Sequence, residues 1–490
     1  MARSGSPLAD PRPYAPDDRP YFRGFDPAAV PSPAYVIDRA AVAYNLRILR
    51  EVADRSGATI LLALKAFALP EVFDLVARYL DGVCASGVYE ATLGFTEIAR
   101  LRERASVPAS NRSTPREPGP GGTASPSTGY SPADHLTDVS GSPSSPFRIH
   151  TFAPAYTATD LDTLRRYSNH LSFNSLRQYH RLFRGGHIGP VGLKAPAHPE
   201  PAELQASAAR PVPPGHTRYG IRINPECPLG DHEIYDPCAP YSRLGQIREE
   251  FDEDLRAFGD GPDPLGAALH GISGLHFHTL CENDSHALEQ TLAAVTERFG
   301  DILEREEITW LNMGGGHHIT KPDYDRDHLV SLVREYSRRY GVDVILEPGE
   351  AAAIHTGILV SEVLDITRNK RPIAILDTSA TAHMPDTLEM PYRPEVWGAH
   401  RPGEATNLYR LGGTTCLAGD VIGDYAFDEE LRIGDRLVFD DMSHYTMVKT
   451  TTFNGIPLPT IAVWDSNQGE VVAVRRPEYS DFRARLGGMS

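Results

Sequence analysis

The chain lacks several features that would place it in particular classes of protein. No apolar run approaches the ~20 residues that a membrane-spanning helix needs. There are only five cysteines, Cys84, Cys227, Cys238, Cys281 and Cys416, widely spaced and without a CxxC pair. An odd, scattered set of thiols fits a reducing compartment, here expected to be the cytoplasm, better than a disulfide scaffold. Basic excess is also missing: 48 Lys and Arg stand against 65 Asp and Glu, a formal charge of −17. That balance argues against nucleic acid as a partner, because phosphates need a basic surface. It is compatible with a small cationic substrate, although net charge speaks mainly to solubility. Met1 to Phe25 is polar, Pro-rich and carries acids, so it reads as neither a signal nor a transit peptide.

What the chain has in excess is Gly (42) and Pro (41), the latter above the usual ~5%. The excess is uneven. Arg104 to Pro146 holds 27 Pro, Gly, Ser or Thr in 43 residues, with no Phe or Trp. Such a stretch cannot bury enough apolar surface to offset its ordering entropy, and it reads as a disordered insertion of the segment 104–146. A second loose segment spans about 185–214. Residues 1–32 read as a flexible N-terminal extension.

Between the loose segments, short β-rich runs alternate with amphipathic helical patterns. Strands are expected at 58–65, 81–86, 147–153, 170–175, 217–224, 271–279, 308–313 and 342–348. Helices are expected at 70–80, 87–102, 286–306 and 328–341. Eight strands with intervening helices predict an α/β fold, a (β/α)8 TIM barrel over 33–355. A doubly wound sheet is the rival on pattern alone. The leading strand at 33–38 could belong instead to the next domain. Over 356–480, runs at 358–367, 371–379, 431–441 and 461–466 predict a C-terminal all-β domain.

In a barrel, function sits at the C-terminal ends of strands. Lys65 ends the first, in LLALKA. Desolvation lowers a lysine pKa and lets the amine form a Schiff base; a solvated surface lysine is the plain alternative. Gly314, Gly315 and Gly316 follow the seventh strand, where bare backbone amides can approach a phosphate; a tight turn is the alternative. Glu347 ends the eighth strand in EPGE. It could pair with the ring nitrogen of pyridoxal phosphate or make an ordinary salt bridge. His276 and His278 end the sixth strand, and His317 and His318 follow the glycines. They lack a carboxylate cluster at ligand spacing, and no HExxH occurs, so no metal is expected. A flat imidazole against a cofactor ring suits them better, with satisfied structural histidines as the alternative. Cys416 sits in the small-residue loop GGTTCLAGD, as a small buried hydrophobe or as an acid. Tyr445 lies in DMSHYTMVK, where a buried hydroxyl is the plain reading.

The strings ALKAF, GLHFHTLCE, NMGGGHHIT, LEPGEA, TAHMPDTLEMPYRP, GGTTCLAGDVIGDY and DMSHYTMVKTTTFNG, in this order, resemble the alanine racemase-like, fold-type III pyridoxal phosphate decarboxylases. TAHMPDTLEMPYRP together with CLAGDVIGDY is similar to its polyamine branch in particular. The resemblance covers about 33–460 apart from the loose segments. It implies a barrel that binds pyridoxal 5'-phosphate, a β-domain, and a homodimer with active sites shared between subunits. It implies that Lys65 holds the cofactor, that His278 stacks on its ring and that Glu347 pairs with the ring nitrogen. Gly314, Gly315 and Gly316 would cradle the phosphate with Tyr445. Cys416 of the partner subunit would donate a proton. The implied reaction is decarboxylation of a carboxylated polyamine, carboxynorspermidine or carboxyspermidine, to norspermidine or spermidine. Ornithine and diaminopimelate decarboxylases carry an acid after the cysteine, where this chain has Leu417. They usually carry Arg after EPG, where this chain has Glu350. An anion there suits a substrate amine, and Asp386 is the second candidate for holding one. A decarboxylase of the same fold acting on diaminopimelate, ornithine or arginine stays open, as does a non-catalytic, partner-binding relative.

Overall fold

The computed structural model of the protein describes residues 20–106, 147–184, 216–230 and 233–487. The expected insertion 104–146 lies outside these residues, except that its first three extend the helix Val88–Ser106. The loose segment 185–214 lies wholly outside them. The chain forms two compact units. One is Leu46–Ala352; the other joins the segment up to Asn45 to the segment from Ala353 onward.

The first strand, β1 (Ala34–Asp38), belongs to the second unit. The next eight build the barrel: β2 (Thr59–Ala63), β3 (Gly82–Ala85), β4 (Arg148–Phe152), β5 (His170–Phe173), β6 (Arg218–Arg222), β7 (Ile272–His276), β8 (Trp310–Asn312) and β9 (Asp343–Leu346). They pair in parallel in chain order and close where Thr59 meets Ile345 and Ile60 meets Leu346. Each falls inside one of the eight expected runs. Strands buried on both faces need continuous apolar sequence, as in Ile60, Leu61, Leu62 and Ala63, all buried. The helix Ser285–Leu303 shows the complementary pattern. Asp284 caps it by accepting from the His286 and Ala287 amides, and Leu288, Leu292, Val295, Phe299 and Ile302 bury one stripe.

The barrel interior is organised around Trp310, which is fully buried with Leu61 and Ile345. Two strand glycines make room for its indole. A Cβ on Gly274 would lie 2.0 Å from the ring and one on Gly220 2.3 Å. Overpacking a fixed core costs about 1–3 kcal/mol. Gly274→Ala is therefore expected to lower unfolding stability by at least that much in urea titration. Wild-type stability would show that the indole can move aside.

In the second unit, β1 sits between β10 (Gly357–Asn369), antiparallel, and β15 (Thr460–Asp465), parallel. The sheet continues through β11 (Arg371–Leu376), β12 (Asn407–Gly412) and β13 (Val421–Phe427) on one side and β16 (Glu470–Arg475) on the other, with β14 (Arg436–Phe439) on β10. The start of the expected extension 1–32 lies outside the described residues, but 20–32 is not loose. Tyr21, Phe22 and Val30 are buried with Val36, Val360, Trp397 and Trp464, and the Phe22 amide donates to Asp38 at 2.8 Å. Apolar burial holds a segment that composition alone marks as flexible. The strand expected at 431–441 is also shorter, because Gly434 turns the chain at φ +91° just before Arg436.

Candidate active site

Lys65, Arg222, His278, Gly314 to Gly316 and Glu347 all lie at or just past the C-terminal ends of β2, β6, β7, β8 and β9. Lys65 is open to solvent just past the end of β2, yet enough protein surrounds it to desolvate its amine. Its Nζ lies 3.2 Å from His278 Nε2. The proton on that ring can be assigned. The Gly315 amide donates to His278 Nδ1 at 2.8 Å, so Nδ1 must be the acceptor and Nε2 carries the hydrogen. Nε2–H then points at the lysine nitrogen, an arrangement that disfavours an ammonium there. Electrostatics agree: burial first, then the Arg222 charge, lowers the Lys65 pKa. Burial, then Lys65, pushes the His278 imidazole well below its usual range.

Glu347, just past the end of β9, is buried. Asn312 Nδ2 donates to its Oε1 at 2.6 Å and to His150 Nδ1 at 2.6 Å, while Asn312 Oδ1 accepts from the Gly314 amide at 2.8 Å. Burial raises the Glu347 pKa and the Asn312 hydrogen bond opposes it. Its ion-pair-range neighbours are imidazoles, His150 Nδ1 at 3.2 Å and His276 Nε2 at 3.7 Å. Burial holds both neutral, His150 near 3. Both ring nitrogens of His276 are buried without a hydrogen-bond partner among the described residues. His276 is thus not a satisfied core histidine, whereas His317 is tied to Tyr324 at 2.6 Å through Nδ1. Among the described residues no Lys or Arg lies within ion-pair distance of this buried carboxylate, although the nearby Lys65 and Arg222 charges also favour its ionised form.

The glycine run is required by space. A Cβ on Gly314, Gly315 or Gly316 would fall 2.6, 2.1 or 1.9 Å from the carbonyl oxygens of Phe277, Glu347 and Leu280. Two of its amides already serve Asn312 and His278, so a phosphate here would use the Gly316 end of the loop or compete for the Gly315 amide.

Glu350 opens a short helix after β9 and meets His318 Nε2 at 3.2 Å. His318 also lines a recess of about 350 Å³ with Glu282, Asp284, Asp323 and Lys321, three carboxylates to one ammonium. The sequence reading missed Arg222, Asn312 and His150. Arg222 and Asn312 end β6 and β8, so the rule that picked out Lys65 and Glu347 applies to them too. Arg222 stacks on Phe152 at 4.4 Å and donates to the His278 carbonyl at 3.0 Å.

Three further expected residues belong to the second unit. Cys416 is exposed on the turn between β12 and β13, where its amide donates to Asn454 Oδ1 at 2.7 Å. Asp420 braces that turn, accepting from Ser379 Oγ at 2.9 Å and from the Thr415 amide and hydroxyl at 3.1 and 2.6 Å. Tyr445 has φ +52°, a left-handed conformation that an aromatic residue rarely adopts. It follows Asp441, which burial would raise but His444 and His355 pull down to about 2. Asp386 is paired with Lys449, whose ammonium also meets Glu389 at 2.5 Å.

Residues 34–443 match the model of a family described as the C-terminal sheet domain of pyridoxal-dependent decarboxylases. The chain is 36% identical to the carboxynorspermidine/carboxyspermidine decarboxylase of Campylobacter jejuni, over 93% of this chain and 98% of that one. It is also 36% identical to the carboxyaminopropylagmatine decarboxylase of Synechocystis sp., over 94% and 96% of the two chains. A crystal structure of the Campylobacter jejuni carboxynorspermidine decarboxylase complexed with norspermidine superposes with a TM-score of 0.69, at 34% identity over 93% of this chain and all of that one. The chain belongs to the pyridoxal-dependent decarboxylases.

Proposed function

We propose that this decarboxylase acts on a carboxylated polyamine, carboxynorspermidine or carboxyspermidine, releasing norspermidine or spermidine, as a cytoplasmic homodimer with shared active sites. The observation that carries the substrate class is Glu350. It replaces the cation expected after EPG, and its partner His318 lines the acidic recess beside it. The Synechocystis relative favours a second reading in which the tail ends in a guanidinium; both tails are cations.

The barrel residues fit pyridoxal phosphate. Lys65 offers its aldehyde an amine whose protonation the surroundings disfavour, and Glu347, with no Lys or Arg within ion-pair distance among the described residues, is placed to pair with a protonated ring nitrogen. His278 offers a flat neutral imidazole, and the glycine turn admits an anion where side chains cannot enter. When bound, the cofactor supplies an electron-accepting ring for the pair left as CO₂ departs. The protein's part is positional and acid–base. His278, fixed by Gly315, directs Nε2–H at Lys65 and keeps that amine in line. Glu347, fixed by Asn312, holds the proton at the ring nitrogen. The Cys416 thiol of the partner subunit returns a proton to the substrate's Cα. Glu350 anchors a tail amine. Asp386 is a second anchor, and its pairing with Lys449 means that a substrate amine must share or displace that ammonium.

Steady-state CO₂ release with carboxynorspermidine, carboxyspermidine and carboxyaminopropylagmatine, against diaminopimelate, ornithine and arginine, tests the assignment. Turnover confined to the last three would overturn it. Removing a charge-assisted bond costs about 1.5–3 kcal/mol, or roughly 10- to 150-fold. Glu350→Gln is accordingly expected to raise KM for the polyamine substrate by that factor with little change in kcat. A fall in kcat at constant KM would place Glu350 elsewhere in the reaction.

A further inference from the structure

Away from Lys65 and Glu347, the first turns of two barrel helices bring together three ligating side chains. His286 and Glu289 lie one turn apart on Ser285–Leu303, and His328 lies at the start of Arg326–Tyr340. One donor atom from each falls within 4.8 Å of the others. Glu289 Oε2 is 3.5 Å from His328 Nε2 and 4.0 Å from His286 Nδ1. The two imidazoles face each other with centroids 4.5 Å apart and planes 33° apart. These separations are too long for N–H···O hydrogen bonds, so proton sharing does not explain the grouping. They do suit an interposed ion. Metal–ligand bonds of about 2.0–2.2 Å in a tetrahedral set place donors roughly 3.3–3.5 Å apart. The His328–Glu289 pair already has that spacing, and the exposed side chains of His286 and Glu289 need only a small rotation to complete it. His328 is also braced from behind. Its Nδ1 meets the hydroxyl of fully buried Ser285 at 3.1 Å, the outer contact that fixes ring orientation at metal sites.

We propose that His286, Glu289 and His328 bind a borderline divalent transition metal of the Zn²⁺, Ni²⁺ or Co²⁺ class. Two imidazoles and one carboxylate select such ions over Mg²⁺ or Ca²⁺, which prefer all-oxygen shells. Three protein ligands leave at least one position for water. The ion would clamp together helices that start directly after the two loops carrying His278 and Gly314 to Gly316, so its effect is on the rigidity of that side of the barrel mouth. The sequence predicts no metal site anywhere in the chain. This trio draws on two helices 39 residues apart between Glu289 and His328, and only the fold assembles it.

The test uses tag-free protein carrying its cofactor, treated with EDTA and dialysed. Titration calorimetry with ZnCl₂ or NiCl₂ is expected to show one ion per chain lost in both His286→Ala and His328→Ala, with affinity reduced at least tenfold in Glu289→Gln. MgCl₂ should give no heat from this site. Zn²⁺ should raise the thermal midpoint of the wild type and not of the histidine variants, by mass action on the folded state. All variants should match the wild type in EDTA, both in thermal midpoint and in cofactor absorbance. Absence of Zn²⁺ and Ni²⁺ binding, or equal stoichiometry in wild type and both histidine variants, would overturn the proposal.

Discussion

Replacing Lys65 by alanine is expected to remove decarboxylase activity, on the order of 10⁴-fold or more in kcat, as losses of covalent nucleophiles do. The expectation rests on how the amine is kept reactive. An ammonium cannot attack an aldehyde, and three features around Lys65 oppose its protonation. The surrounding protein desolvates it, the buried Arg222 charge is close by, and the neighbouring His278 ring can only donate toward it. The Gly315 amide locks the tautomer that makes this so. The chemistry can be read independently of turnover. The chain has only five lysines, Lys65, Lys194, Lys321, Lys370 and Lys449, so borohydride reduction of the cofactor-loaded protein followed by peptide mapping gives a clean answer. The pyridoxyl label should sit on the Lys65 peptide and vanish in Lys65→Ala. Lys321, which lines the neighbouring acidic recess, is the internal control. Label persisting at full stoichiometry in Lys65→Ala, on Lys321 or any other lysine, would refute the assignment.

The parts of this molecule that follow short-range rules were legible in advance. Eight short β-rich runs became eight parallel strands, most of whose residues are buried. The strand-end rule then picked out Lys65 and Glu347, which a list of charged residues could not separate from the other acids and bases. What the sequence left unread depends on contacts between distant positions. Asn312 looks like any polar residue before a glycine turn until folding sets it between Glu347, His150 and the Gly314 amide. Trp310 gives no hint that Gly220 and Gly274 are cut away to admit it. In the second unit, β12 and β13 went unpredicted because polar and glycine residues interrupt them, as in NLYRLG and VIGDYAF. Their pairing with each other and with β11 supplies what their composition does not. The segment 20–32 failed in the opposite direction. Its proline content reads as loose, and the aromatic side chains of Tyr21 and Phe22 outweigh it.

Co-expressing Lys65→Ala and Cys416→Ala chains and isolating the mixed dimers is expected to recover about half of the wild-type activity, although each variant alone is nearly inactive. Loss of a general acid costs roughly 10²–10⁴-fold, so Cys416→Ala by itself should fall in that range. The recovery follows from isologous pairing. If the thiol serves the barrel of the other subunit, a mixed dimer contains one site with both defects and one with neither. If it serves its own chain, every site carries one defect and nothing is recovered. Several features suit Cys416 to reach a neighbouring subunit. Its side chain is exposed in the single chain, it stands in the loop between β12 and β13 rather than inside a sheet, and that loop is braced by Asp420 through Ser379 and Thr415. A proton donor that must meet one face of a carbanion needs this bracing, because a misplacement of about 1 Å can cost 10²-fold. Asp420→Asn keeps the size of the brace but weakens its acceptor, and should lower kcat while leaving KM and cofactor binding unchanged. Mixed dimers with no more activity than Cys416→Ala homodimers would place the thiol in the site of its own chain.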